Sequence, residues 1–158
     1  MLPINIYLNN LLNMAITLTP IGTAENSEQK HFGNWEKVKT DIVIDKKYED
    51  ALFGLEGYSH LIVVYWLHEV KTCDIRHTPQ GRVGEVPEVG IFACRCPQRP
   101  NPIGLSTCKL LSIKNNVVQV QGLDVINGTP ILDIKPYTPQ YDTAHGVKVP
   151  AWVHKLSY

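Results

Sequence analysis

Three segments of this chain place polar side chains at the end of an apolar run, and each could carry chemistry. The first is the loop Cys94-Arg95-Cys96-Pro97-Gln98-Arg99-Pro100-Asn101-Pro102-Ile103-Gly104-Leu105-Ser106. Proline fixes φ, offers no N–H and pushes the residue before it into extended conformations. Cys96, Arg99 and Asn101 each precede a proline, so the loop is stiff before any ligand arrives and projects its side chains at little entropic cost. Arg95 or Arg99 could clamp a carboxylate bidentately or meet a phosphate. The plainer alternative is a rigid corner with an arginine paired to a surface acid. The second segment is His68-Glu69, directly after a long apolar run; an ordinary strand exit looks the same. In the third, Asp133, Lys135 and Tyr137 lie two apart and share one strand face. They are either a proton-transfer set or an ion pair beside a phenol, and spacing alone favours the ion pair.

Other chemistries find little support. No dinucleotide-type glycine fingerprint, phosphate-binding Gly-Lys-Ser/Thr loop or Gly-x-Ser-x-Gly elbow occurs. The four cysteines, Cys73, Cys94, Cys96 and Cys108, lack the two-residue gap of structural zinc sites, so no metal is expected. Reduced, structural thiols in a cytoplasmic protein fit them better. No run approaches the ~20 apolar residues of a membrane helix. Residues 1–14 lack a basic start and a small-residue cleavage site, and read as a loose extension ahead of one domain at 15–158.

The 158 residues suffice for a real core, and 44% hydrophobic with 19% charged residues is ordinary for a globular chain. Fifteen basic residues balance fifteen acidic ones, so there is no global field to attract nucleic acid, and any such partner must meet a local patch or a dimer groove. Lys71, Arg76, Arg82, Arg95 and Arg99 outnumber Asp74, Glu85 and Glu88 between residues 71 and 99. A solvated loop of mixed charge explains that stretch equally well.

The elements that must position these residues are short strands. Alternation marks 16–23, an apolar run marks 41–45, and 59–67 is nearly all apolar and β-branched, which predicts a central strand covered on both faces. Tyr48 to Leu52 reads as one or two helical turns stopped by Gly54. Further strands are expected at 89–93, 105–113, 117–123, 131–137 and 149–153, with a hairpin at Lys114-Asn115-Asn116 and a turn at Asn127-Gly128. Cys94 and Cys96 would then face one side of a strand. Many short strands and few helices predict a mainly β fold, a single small barrel with long loops.

At this point the motifs become recognisable. Phe92-x-x-Arg95-x-Pro97-x-Arg99-Pro100-Asn101-Pro102-Ile103-Gly104, followed by Leu123-Asp124-x-x-x-Gly128-Thr129-Pro130-x-x-Asp133-Ile134-Lys135-Pro136-Tyr137, resembles the TsaA-like (TrmO) family. Gly54 to His60 and Trp66-Leu67-His68 look like its other shared blocks. The resemblance implies a β-barrel methyltransferase that uses S-adenosyl-L-methionine without a Rossmann sheet. It implies action on the exocyclic nitrogen of threonylcarbamoyl-adenosine beside the anticodon of tRNA, and a homodimer with cofactor contacts near the subunit interface. Carried over by position, those contacts are Gln29, His68, Glu69, Arg95, Leu105 and Asp124, Val125, Ile126 and Asn127. Arg99 and Asn101 are expected to meet substrate, and Asp133, Lys135 and Tyr137 to serve catalysis. Asn127 and Cys96 replace an acid and a serine common in the family, and its longer bacterial members carry a C-terminal domain not seen here. An S-adenosyl-L-methionine-binding module without catalysis, or a methyltransferase for another RNA or a small molecule, are the alternatives.

Overall fold

Period-two alternation decides the architecture. The computed structural model describes residues 16–28 and 35–157. Its strands are β1 (Gly22–Glu25), β2 (Lys39–Ile44), β3 (His60–Trp66), β4 (Arg76–His77), β5 (Val89–Gly90), β6 (Ile103–Lys114), β7 (Val117–Gln121) and β8 (Pro130–Pro136). Six of them close a barrel in the order β1-β2-β7-β6-β3-β8, each antiparallel to its neighbours. Closure leaves no strand edge in the barrel wall unpaired. β4 and β5 form a separate small ribbon within the loop after β3.

Alternate residues fill the lumen. Leu61, Val63 and Tyr65 of β3, Ile42 and Ile44 of β2, Val118 and Val120 of β7 and Ile131 of β8 are all buried, joined by Leu123 and Val125 just past β7. Tyr65 pairs with Gly104, Val63 with Ser106 and Leu61 with Cys108, so these β6 residues also face inward. A Cβ on Gly104 would lie 2.0 Å from the Tyr65 ring; glycine there makes room for the phenol. The Tyr65 hydroxyl meets Ser106 Oγ at 3.0 Å. Burial pushes the phenol up to about 12; the Asp124 carboxylate adds to the rise, while the Ser106 hydrogen bond and Arg95 oppose it. Burial likewise pushes the Cys108 thiol up to about 12.

Several expectations are corrected. β3 is covered on one face only: Leu61, Val63 and Tyr65 are buried, but His60, Ile62, Val64 and Trp66 line the outer wall and keep some exposure. The strand expected from residue 16 forms only at Gly22. At 89–93 the pairing stops after Gly90 and the chain tightens into a 3-10 turn, Ile91–Ala93. Cys94 and Cys96 therefore share no strand face; Cys96 N–H instead turns back onto Cys94 Sγ at 3.4 Å. The last expected strand is a 3-10 turn, Ala151–Lys155, entered from Pro150. A short helix, α1 (Pro139–Asp142), follows β8 and was not signalled by apolar periodicity. The turns at 46–52 and Gly128 and the hairpin at Asn115 appear as expected, the glycine with φ 81° and Asn115 with φ 52°.

Gly104→Ala should lower stability by about 1–3 kcal/mol or more through overpacking against Tyr65, read as a fall in denaturant midpoint. Because the folded-state values of Tyr65 and Cys108 lie above their ordinary 10.0 and 9.0, both groups stabilise the fold at neutral pH. That contribution should be lost as pH rises from about 9 to 12, and Tyr65→Phe should flatten the upper part of this decline in urea melts across pH.

Candidate functional site

One rim of the barrel gathers several of the sequence candidates. There β1, β3 and β7 end and β2, β6 and β8 begin, so the connecting segments meet. A cleft of about 480 Å³ opens between them, with Leu67, His68 and Glu69 on one wall, Pro97 and Gln98 on a second, and Asp124, Val125 and Ile126 on a third. Trp35, Val70, Lys71, Thr72 and Thr129 complete the lining. Its size is ordinary for a small organic ligand.

Local hydrogen bonds hold these walls in register. Leu67 N–H donates to the Pro102 carbonyl at 2.8 Å and Asp74 N–H to the Gln98 carbonyl at 3.0 Å. Asn26 ties β1 to the segment after β7: its Nδ2 donates to Thr40 Oγ1 at 3.1 Å and the Val125 carbonyl at 3.0 Å. Its own N–H donates to Asn127 Oδ1 at 3.1 Å, and Asn127 N–H donates to the Glu28 carbonyl at 2.7 Å. Asn127 thus braces the cleft's third wall rather than lining it. Asn26 was not singled out in the sequence, although an Asx residue just past a strand is a turn signal. Trp35 and Gln98 were also missed. Gln98 Oε1 is out of water and accepts no hydrogen bond among the described residues.

The proline-rich loop is stiffened by one of its own arginines. Arg99 Nη1 donates to the carbonyls of Cys94 at 2.8 Å, Ile91 at 3.0 Å and Cys96 at 3.4 Å, and its guanidinium lies 5.8 Å from the Phe92 ring centroid. Arg95 Nη2 donates to the Leu105 carbonyl. Burial, and then the neighbouring Cys94 thiol, push the Cys96 thiol up to about 12. Neither arginine lines the cleft. Leu105 faces outward on β6, half exposed, and Asn101 is exposed between its prolines.

His68 and Glu69 are adjacent on the cleft wall, Nε2 to Oε1 at 3.6 Å. Asp133, Lys135 and Tyr137 lie elsewhere. Asp133 pairs with Val64 and Lys135 with Ile62, which puts both on the outer wall of β8. Lys135 Nζ meets Asp133 Oδ2 at 2.7 Å, and that contact raises the lysine above its ordinary value. Tyr137 sits at the far end of β8, its hydroxyl 3.1 Å from Thr143 Oγ1 and its ring edge-on to His60. At the usual rise per residue, Asp133 is roughly 13 Å and Tyr137 roughly 26 Å along the strand from the cleft at Thr129. The trio and the cleft do not meet within one chain. Gln29 lies outside the described residues, as do residues 1–15 and with them the expected N-terminal extension.

Two arginines of the basic stretch at 71–99 pair with its own acids, Arg82 with Glu85 at 2.9 Å and Arg76 with Glu88 at 3.6 Å, and His77 hydrogen-bonds Asp74 at 2.9 Å.

A closed six-stranded antiparallel barrel with a loop-built cleft at one rim places the chain among small β-barrels whose open site is formed by loops. Comparison with known proteins makes the class specific: the chain belongs to the family of the tRNA-methyltransferase O N-terminal domain, whose model matches residues 25–143. It is 35% identical over 130 residues to an S-adenosyl-L-methionine-binding protein of Archaeoglobus fulgidus, covering 79% of this chain and 91% of that one. It is 38% identical over 104 residues to the human tRNA (adenine(37)-N6)-methyltransferase, covering 65% of this chain and 23% of that protein. The crystal structure of TrmO from Pseudomonas aeruginosa superimposes with a TM-score of 0.72 at 25% identity, over 87% of this chain and 63% of that one. The expected β-barrel and the family resemblance are both borne out.

Arg99→Lys should cost about 1–3 kcal/mol of stability, since an ammonium cannot reproduce the guanidinium's bonds to three carbonyls. Hydrogen exchange should quicken at 91–99. Unchanged exchange there would show that the arginine does not hold the loop.

Proposed function

We propose that this chain is an S-adenosyl-L-methionine-dependent tRNA methyltransferase that acts as a homodimer on the exocyclic nitrogen of threonylcarbamoyl-adenosine beside the anticodon. One observation carries the reading: His68-Glu69 and Asp124-Val125-Ile126, more than fifty residues apart, converge on one cleft. Family membership and the names of relatives support it. The donor set suits the cofactor. Carboxylates of Glu69 and Asp124 oppose its positive sulfonium and ammonium groups, and Pro97, Val125 and Ile126 offer apolar surface to a purine. Action in the cytoplasm agrees with free thiols at all four cysteines.

S-Adenosyl-L-methionine supplies an electrophilic methyl group on a good leaving group. The protein's work is to align and to exclude water, and alignment alone can contribute ~7–11 kcal/mol. The stiff walls described above serve that end. Arg95, held on the Leu105 carbonyl, places its positive charge near Tyr65. The acceptor nitrogen is urea-like and weakly nucleophilic, so loss of its proton needs a base. Asp133 or Tyr137 fills that role in this proposal, with Lys135 orienting the threonyl carboxylate. Since the trio lies on the outer wall, it serves the cleft of the second copy. That wall is apolar enough for a partner: Ile103 and Leu105 are exposed beside Ile62, Val64 and Trp66. Arg99, pinned within its own loop, acts on substrate by placing Asn101 and its neighbours.

A second reading, a binding module without catalysis, is favoured by one fact. The archaeal relatives matched over 91% and 96% of their length are named as S-adenosyl-L-methionine-binding proteins, whereas the chain spans only about a quarter of the mammalian methyltransferases.

Labelled S-adenosyl-L-methionine and two tRNA pools, with and without threonylcarbamoyl-adenosine, test the proposal. Label should enter only the first pool, and label in neither would favour the binding module. Asp133→Asn or Tyr137→Phe should slow transfer by about 10²-fold or more if that residue is the base; normal rates in both would remove the trio from catalysis. In mixed dimers, a chain altered at Asp133 and a chain altered at Glu69 should restore activity together.

A further inference from the structure

Gln98 stands apart among the residues that line the cleft. Its side-chain oxygen Oε1 is out of water and accepts no hydrogen bond among the described residues, although the residue lines the cleft and keeps partial exposure. An acceptor held in that state costs free energy and calls for a reason. The backbone that carries it is fixed on both sides. The Gln98 carbonyl accepts Asp74 N–H at 3.0 Å, and Arg99 N–H donates to the Pro97 carbonyl at 2.7 Å. Prolines at 97 and 100 narrow the same stretch further. Only the side chain is left to adjust, and its terminal torsion is soft. Turning the amide toward a ligand forfeits no hydrogen bond at Oε1 that the described residues supply.

The surroundings select what that oxygen can meet. Leu67, Pro97, Val125 and Ile126 are apolar, whereas Glu69 and Asp124 bring carboxylates. Cationic groups of a ligand are drawn to the carboxylates, and a ligand carboxylate is repelled by a bare amide oxygen. What remains for Gln98 is a neutral N–H donor carried on a flat, largely apolar ring. A side-chain amide offers an acceptor and a donor side by side. That is the complement of an adenine edge, where the exocyclic amine donates and a ring nitrogen accepts.

We infer that Gln98 is a specificity-determining residue of the cleft, whose Oε1 accepts a hydrogen bond from the exocyclic amine of the ligand's adenine. The inference rests on the cofactor reading above and adds to it the group that reads the base. It gives the orphaned acceptor a cause, since the ligand brings the donor that the described residues do not. Two effects of removing the amide should then run in opposite directions. The free chain loses an unsatisfied buried group and keeps or gains stability, while ligand affinity falls. An amide retained for structure alone would lower stability without sensing the ligand's amine.

The test is calorimetry on the full chain with two probes, S-adenosylhomocysteine and its 6-deamino analogue, which carries hydrogen in place of the amine. Wild type should bind the analogue about ten-fold more weakly or worse. Gln98→Leu and Gln98→Ala should bind S-adenosylhomocysteine about ten-fold more weakly than wild type does, and should no longer distinguish the two probes. Gln98→Glu, which keeps an acceptor at the same reach, should still prefer the amine. In urea melts without ligand, Gln98→Leu should match or exceed the wild-type midpoint. Equal affinity of wild type for both probes overturns the inference and leaves the cofactor reading standing. So does a preference for the amine that survives in Gln98→Leu and Gln98→Ala. If wild type binds neither probe, the cofactor reading itself fails and the inference falls with it.

Discussion

Closure of the hydrogen-bonded wall is the constraint on which everything else depends. Once six strands pair in a ring, every residue must face either a lumen or the outside, and the lumen is too narrow for anything but side chains. The interior is then a filled plug of Leu61, Val63, Ile42, Val118 and their neighbours. Ligand chemistry is displaced to the rim, where strands give way to loops and backbone groups are free to turn. The cleft lies at one end because that is where the wall stops.

A rim built of loops would be soft without internal ties, and the ties here are few and local. Asn26 links two strand ends through one side-chain amide. Arg99 gathers three carbonyls of its own loop. Prolines at 97, 100 and 102 remove conformations that the bonds would otherwise have to suppress. Rigid framework and pre-set loops together give a site whose order exists before binding, which is what an alignment-dependent reaction needs.

Much of this was legible in the sequence, and the misses have physical causes. Strands with clear alternation or a turn signal were found where β2, β6, β7 and β8 stand. β3 was read as doubly covered because apolar residues line both its faces, but periodicity cannot distinguish a second protein layer from an apolar surface left open. The segments 89–93 and 149–153 are β-branched and short, and proximity to glycine or proline turned them into 3-10 geometry. At the site, five of the candidates, His68, Glu69, Asp124, Val125 and Ile126, share the cleft. Arg95 and Asn127 lie behind or beside it because their side chains are taken up by backbone groups, and Leu105 because its place on β6 turns it to the outer wall. The pattern of residues showed which segments meet, but not which side chains turn inward. No spacing rule could have found Gln98 or Trp35, whose place depends on how distant loops fold over one another.

The paired charges of the 71–99 loop bear on how the molecule meets other macromolecules. Arg76, Arg82 and His77 each have an acid of the same loop at hand, and the whole chain carries no net charge. Such a surface casts little long-range field, so encounters with polyanions in solution are unguided and brief. Any polyanion that approaches this loop must compete with those local acids at short range, and gains little from mere proximity.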